Sequence, residues 1–415
     1  AAKQFVQHGP TNLSLNGLTS ITPEVAVQLV NVPGYLYLSG LTTMTAGVAE
    51  QLAKQEGQLL VCLPSLTPDV AEKLKNHKGL LIIGLKTAIT KEVAEQLKNH
   101  EGGLVLGLPS LTSDAAEELA KTNERLQLRD LTTITPDVAE KLVKSSVNIE
   151  LPHLTTITSE VAKKLAKHKA RGQTLRLDSL KTLTPDVAEA LSSYDGNLFL
   201  GGLSTITVDE AEQLAKNTRS ISLRSITSLP PDVAAALSKN QGILNLGGLT
   251  KLSADTAAAL AKHEKNLNLY PLTTLTSDVA EALAKTKGRL SLNGLKTLTP
   301  DVAEALAKTE GKLYLDGLTQ LTPDVAEALA KTQGELSLDG LTQLTPDVAE
   351  ALAKYSGTLK LSLSISINEF SDLEELSFDV EELLSGLEFL NVSEFRSLTR
   401  LTNKQLAEKL LSQDF

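Results

Sequence analysis

Apolar and polar positions along this 415-residue chain repeat every 22 or 23 residues. The clearest copy reads Leu313-x-Leu315-Asp316-Gly317-Leu318-x-x-Leu321-Thr322-Pro323-Asp324-Val325-Ala326-Glu327-Ala328-Leu329-Ala330-Lys331, and it returns 23 residues later as Leu336 through Lys354. Leu-x-Leu alternates apolar and polar, the period of a half-buried strand, so Leu313 and Leu315 are predicted to point in and Tyr314 out. A short helix follows. Thr322 is placed as its N-cap, Pro323 at the first helical position, where no amide is needed, and Asp324 in the first turn against the positive end of the helix dipole. Val325 and Leu329 share one helical face, Ala326 and Ala330 let neighbouring helices approach, and Glu327 and Lys331 read as an i,i+4 pair on the wet side. Gly334 releases the chain into the next strand.

The same helix-start phase recurs at Thr22, Thr45, Thr67, Thr90, Thr112, Thr135, Thr158, Thr184, Thr207, Pro230, Ser253, Thr276, Thr299, Thr322 and Thr345. The one longer step, from Thr158 to Thr184, puts a short insertion around Lys169 to Gly172, in the turn between a helix and the next strand. A single unit has no means of burying its apolar side, whereas stacked units bury a continuous core. The chain also exceeds the length at which one hydrophobic core stops growing. An α/β repeat solenoid is therefore predicted, with residues 1–10 as part of a preceding helix, about fifteen repeats over 11–360, and a degenerate, capping C-terminal segment over 361–415.

These motifs resemble the leucine-rich repeats, in particular the cysteine-containing subclass known from F-box-type proteins, whose unit runs Leu-x-Leu-x-x-Cys-x-x-Ile-Thr-Asp before a helix. Here the run is Leu-x-Leu-x-Gly-Leu-x-x-Leu-Thr-Pro-Asp-Val, with Leu318 and its equivalents in place of the cysteine and without the usual Asn or Cys ladder. Bacterial arrays of the Gly-Leu-Thr and Pro-Asp-Val-Ala kind are similar. The resemblance covers roughly residues 11–360. It implies a horseshoe or superhelical arc, with a concave parallel β-sheet and convex α-helices. It does not choose a ligand, because that family binds proteins, sugars, lipids and nucleic acids alike.

Composition agrees with many small layers: aromatic residues are 3% and tryptophan is absent. Cys62, the lone cysteine, excludes a disulfide framework and a thiolate zinc site. No apolar run approaches the ~18 residues needed to span a bilayer, so no membrane insertion is expected. The formal charge of -10 argues against nucleic acid as a partner. The compartment stays open between the cell surface or exterior and the cytoplasm.

Both ends depart from the repeat. Five of the seven phenylalanines (Phe370, Phe378, Phe389, Phe395 and Phe415) lie in the last 55 residues. Acidic residues crowd the same segment, Glu374, Glu375, Asp379, Glu381 and Glu382 among them, which reads as an acidic cap. At the start, Phe5 and Val6 match the back half of a helix with no polar cap before it, which makes them a candidate assembly face.

Little in the pattern suggests chemistry. His77, His100, His168 and His263 all fall at helix C-termini, where a positive imidazolium suits the dipole; stacking brings His77 and His100 within ~5 Å, close enough to share a metal. Two imidazoles are too few ligands for a firm zinc site, and the Asp316, Asp339 and Asn293 ladder is too interrupted to hold calcium. No catalytic constellation stands out from the repeat, so no enzyme activity, cofactor or metal is expected. Binding is expected on the outward strand positions and those two residues further on: Tyr37, Gln127, Arg129, Glu150, Arg176, Asp178, Phe199, Arg224, Asn245, Asn268, Tyr270 and Tyr314. The stretch from Gln127 to Arg224, where both charges meet Phe199, is the richest in side chains that anchor interfaces. Two functions remain: a scaffold that grips a protein or peptide, and a structural or surface-assembly protein that associates with itself as a homo-oligomer or filament. The near-identical units from Thr276 to Thr345 favour the second.

Overall fold

The computed structural model describes residues 12–147, 149–168 and 174–361. Among them, sixteen strands alternate with fifteen helices, and every helix is seven or eight residues long. The N-cap of each of the fifteen is the residue that the repeat phase marks, from Thr22 through Thr345. In the typical unit the cap threonine accepts a hydrogen bond from the amide three residues on, as Thr322 does from Val325 at 3.4 Å. Pro230 has no side-chain acceptor, and Thr184, Thr276 and Thr345 make no such bond.

The chain divides into two compact units, Ala1–Leu203 and Ser204–Phe415. In the first, seven strands from Leu13–Ser14 to Ile149–Glu150 form one parallel sheet in chain order, and Thr174–Arg176 pairs in parallel with Asn197–Phe199. In the second, strands from Ile221–Ser222 to Leu359–Lys360 form a parallel sheet, again in chain order. The pairing register equals the repeat, so identical positions stack. Leu36, Leu59, Leu81, Leu104 and Leu126 lie in one line across the first sheet, each no more than 1% exposed. Leu244, Leu267, Leu290, Leu313, Leu336 and Leu359 do the same in the second. The helices lay Val, Ala and Leu against these lines, as with Val325 at 2% exposure and Ala326 and Leu329 at 0%. Each fully buried leucine contributes about 1.5–3 kcal/mol relative to an exposed one, and every unit supplies several.

A polar line runs parallel to the leucines, one turn beyond each helix. Gln55, His77, His100, Thr122, Ser145, His168 and Tyr194 occupy it in the first unit, all buried. Asn217, Asn240, His263, Thr286, Thr309, Thr332 and Tyr355 occupy it in the second, also buried. Several of these side chains bond buried carbonyls around the helix exits, whereas Thr122 and Ser145 accept the backbone amide two residues on, and His77 and Thr286 have no hydrogen-bond partner for their side chains among the described residues. Gln55 Nε2 donates to Val32 O of the preceding repeat, 3.2 Å away; Asn240 and Tyr355 bond likewise to Asn217 O and Gly334 O. Thr309 and Thr332 turn back on Leu306 and Leu329, at 2.7 Å. The array thus has a polar ladder, but at the helix exit, where no fixed residue type marks it in the sequence.

One expectation fails. Glu327 does not pair with Lys331; its partner is Lys354 of the next repeat, at 3.7 Å. The same cross-repeat arrangement recurs in Lys308–Glu281, Lys239–Glu212 and Lys141–Glu117. Close stacking places the neighbouring helix's lysine within reach of the glutamate. Residues 1–11, with Phe5 and Val6, and 362–415, with Glu374, Glu375, Asp379, Glu381 and Glu382, lie outside the described residues.

Replacing Thr322 by Ala removes a cap bond and is expected to cost about 1 kcal/mol, while Thr345→Ala, whose hydroxyl makes no cap bond, costs less. Urea unfolding of the two variants side by side checks the difference.

Candidate functional site: the outer faces of the sheets

Strand alternation turns one set of side chains toward the helices and the other away from them. In the first unit the outward set lies in register as Ser14, Tyr37, Leu60, Ile82, Val105, Gln127 and Glu150. Tyr37, Leu60 and Ile82 are half-buried, and Val105 closes their row at 3% exposure. Tyr35, 44% exposed, tilts against Tyr37 with ring centroids 6.1 Å apart. On the other flank the residues are small: Ser39, Cys62, Gly84 and Gly107. The Cys62 sulfur lies across Gly84, and burial pushes its thiol pKa up. Local sequence explains the form of this region. Gln58–Leu63 and Leu81–Leu85 are the longest strands, and both are rich in leucine and β-branched residues, which suit a pleated surface. Tyr37 stands out in the sequence by its ring, whereas Leu60, Ile82 and Val105 are apolar residues among apolar neighbours and do not. Their signal was the repeat phase itself: each stands 22 or 23 residues after the last.

Beyond Val105 the row turns polar. Glu150 receives both ends of the Arg125 guanidinium, at 3.0 Å each, and the Gln127 amide at 2.9 Å. Gln127 in turn accepts from Arg129 Nε at 3.0 Å. Arg129 is exposed and makes no ion pair among the described residues. Further along the unit, the Arg176 guanidinium lies 5.0 Å from the centre of the Phe199 ring and bonds Asp178 at 2.8 Å. Asp178 also accepts the Gly201 amide at 3.1 Å, so its carboxylate is committed to holding the next repeat.

The second unit's outward face is more polar. Asn245 and Asn268 stand in register, half-buried; Arg224 is exposed; Tyr270 is 41% exposed and leans back over Gly247. Tyr314 does leave the core side, yet it is only 9% exposed. Arg289 covers its ring at 3.6 Å, Lys360 stands 5.6 Å from it, and its hydroxyl donates to Glu335 at 2.6 Å. Burial disfavours the Glu335 carboxylate, but bonds from Lys312, Lys360 and Tyr314 hold its pKa at about 2. The ring is a structural element of that cluster and offers little surface. Asp316 is likewise occupied: it accepts from Asn293 Nδ2 at 2.9 Å, Ser337 Oγ at 2.5 Å and the Asp339 amide at 3.2 Å.

The four helix-end histidines are buried, between 0% and 6% exposed. Desolvation lowers each of their pKa values, with the His100 charge adding to the effect at His77. Burial therefore outweighs the favourable dipole, and the rings are neutral. The carbonyls of Lys75 and Ser238 lie 3.2 Å from Nδ1 of His100 and His263; a carbonyl only accepts, so Nδ1 carries the proton. His77 and His100 stack face to face, with centroids 6.1 Å apart and planes 3° from parallel. That arrangement sets ring faces, not nitrogen lone pairs, toward each other. Among the described residues, no three His, Cys, Asp or Glu side chains gather as metal ligands, and no helix is long and apolar enough to cross a membrane.

No protein-family model and no curated protein matches the sequence. Among solved structures, a leucine-rich-repeat protein of Leptospira interrogans is similar at 20% identity and a TM-score of 0.39, over 85% of this chain and 97% of that one. An internalin of Listeria monocytogenes is similar at 12% identity and a TM-score of 0.28, over 91% and 92%. The Drosophila Toll–Spatzle complex is similar at 16% identity and a TM-score of 0.36, over 85% of this chain and 44% of that one. At these scores the likenesses carry no argument about a ligand.

The neutral histidines make the array sensitive to acid. Their folded pKa values lie below the unfolded reference of about 6.5, so the unfolded chain takes up protons first as the pH falls. Their stabilising contribution is complete above about pH 6.5 and declines below it. The melting temperature is expected to fall from pH 7 to pH 5, and less steeply in His100→Gln, since Gln55 fills the same place in its own repeat. Equal slopes would contradict this.

Proposed function

We propose that the chain is a non-catalytic protein-interaction scaffold, and that its principal surface is the outward face of the first unit's sheet. The observation that carries this reading is the apolar row Tyr37, Leu60 and Ile82 on a face turned away from the helices. Repeats that stack through leucine lines need no apolar residue there, and the second unit puts serine or asparagine at most of the same positions, with Tyr314 and Lys360 at the others. Gln127, Arg129 and Glu150 form the polar continuation of this face, and Arg176, Asp178 and Phe199 stand on a separate strand pair of the same unit. Arg224, Asn245, Asn268, Tyr270 and Tyr314 belong to a second, lesser surface on the other unit. The absence of catalysis is part of the proposal: the four helix-end histidines are sealed from solvent, and Asp178 and Asp316 spend their oxygens on neighbouring repeats. Kinship with the leucine-rich repeats, and with their cysteine-containing subclass, is likewise proposed. In its support, Leu318, at the cysteine position, is fully buried.

A second reading, self-association, is favoured by the first described repeat. Leu18 and Val25 are 37% and 36% exposed there, whereas Leu41 and Val48 at the same repeat positions are 3% and 2% exposed. A second copy packed on these side chains would cover them.

Affinity capture with the immobilised chain separates the two readings. A partner that binds wild type and is lost at least tenfold with Leu60→Glu plus Ile82→Glu supports the scaffold. Capture indifferent to that pair counts against it. Multimers that scatter light at high concentration and vanish with Val25→Asp support self-association, and a chain that is monomeric throughout opposes it.

A further inference from the structure

The apolar row of the first unit runs across the strands, not along one of them. Its side chains are therefore separated by the strand spacing of about 4.8 Å, so Tyr37, Leu60 and Ile82 cover about 10 Å in two steps. A partner that covers all three must present apolar groups at that interval. An α-helix does so: its same-face residues follow one another at about 5.4 Å per turn, and i to i+7 spans about 10.5 Å. An extended segment does not, since its same-face side chains recur at about 6.6–6.8 Å and fall out of step after one strand. The flank of the row has room for the helix body, because Cys62 and Gly84 hold the exit side low. Charge then sets direction. Arg129 stands at the far end of the small-residue flank beside the row, in register with Gly84 and Gly107, exposed and without an ion pair among the described residues. A helix C-terminus carries partial negative charge and is favoured beside a cation.

We infer that the first unit's outward face receives an amphipathic α-helix of a partner protein, laid across the strands on Tyr37, Leu60 and Ile82 with its C-terminal, acidic end at Arg129. The inference rests on the scaffold reading and narrows it to one kind of ligand. It assigns each residue a share: the apolar row supplies contact area, the low flank supplies clearance, and Arg129 supplies polarity.

Three labelled synthetic peptides of one composition, each about four helical turns long if helical, test this against the full chain. The first has leucines at i, i+4, i+7 and i+11 with glutamates in its last turn. The second moves the glutamates to the first turn, and the third alternates leucine with polar residues. Fluorescence anisotropy reads affinity. Alkylation of Cys62 by N-ethylmaleimide reads occupancy in the unaltered protein, since that thiol adjoins the row. The first peptide is expected to bind at least tenfold more tightly than the third, to slow Cys62 alkylation, and to weaken about tenfold with Ile82→Glu. Arg129→Glu is expected to reverse the preference between the first and second. The inference is overturned if the alternating peptide binds as well as the helical one, or if no peptide protects Cys62. Should a captured partner depend on Leu60 and Ile82 while the alternating peptide wins, the scaffold reading stands and the helix falls. Should capture ignore those residues, the scaffold reading itself fails.

Discussion

Every other feature of this protein depends on one constraint: each inward leucine must lie directly beside its counterpart in the next repeat. A strand's side chains alternate faces, so a slip of one residue would turn the whole leucine line to solvent. The period of 22 or 23 residues is therefore held by the hydrophobic lines. Given that register, the outward positions are stacked as well. Rows such as Tyr37, Leu60 and Ile82 form without any interaction of their own, as the reverse side of a core that stacks for its own reasons.

The same stacking explains the polar ladder. Short helices end one above another, and their last carbonyls would be buried without partners unless a side chain reached them. Glutamine, asparagine, histidine, threonine and tyrosine all serve, by different routes, which is why the position tolerates such variety. The histidine version has a cost the others lack, because just below neutrality the imidazole of the unfolded chain takes up a proton that the buried ring resists. Catalysis, metal binding and dipole stabilisation are all less apt descriptions of these rings than a buried filling, hydrogen-bonded to a backbone carbonyl at His100 and His263, whose charge state is set by burial.

Fold was legible in the sequence because it is written fifteen times. Thr-Pro-Asp-Val marks a helix start by local chemistry alone, and even Pro230 and Ser253, where the motif is degraded, fall at N-caps. The surface was less legible. An outward leucine in Leu59-Leu60-Val61 looks like core unless its phase is followed from Tyr37, and a tyrosine at an outward position looks exposed unless the cations that cover it are known. Tyr314 is buried by Arg289, which belongs to the previous repeat, and Glu327 pairs with the following one. Such contacts link residues roughly a repeat apart, so no local window shows them. The phase of the repeat places Arg129 at an outward position, but its freedom from an ion pair follows only from seeing Glu150 taken by Arg125 and Gln127.

Relative stability answers most directly whether the apolar row is surface or core. Leu59 and Leu60 are neighbours in one strand, the first at 0% exposure on the leucine line and the second half-buried on the outward row. Leu59→Ala should cost about 2–5 kcal/mol, as deletion of a packed core side chain does. Leu60→Thr and Ile82→Thr, which keep β-forming side chains on an outer face, should stay within about 1 kcal/mol of wild type. Denaturant unfolding of the three variants gives the comparison. Losses at Leu60 and Ile82 as large as that at Leu59 would show that the row serves folding, and would contradict its reading as a binding surface.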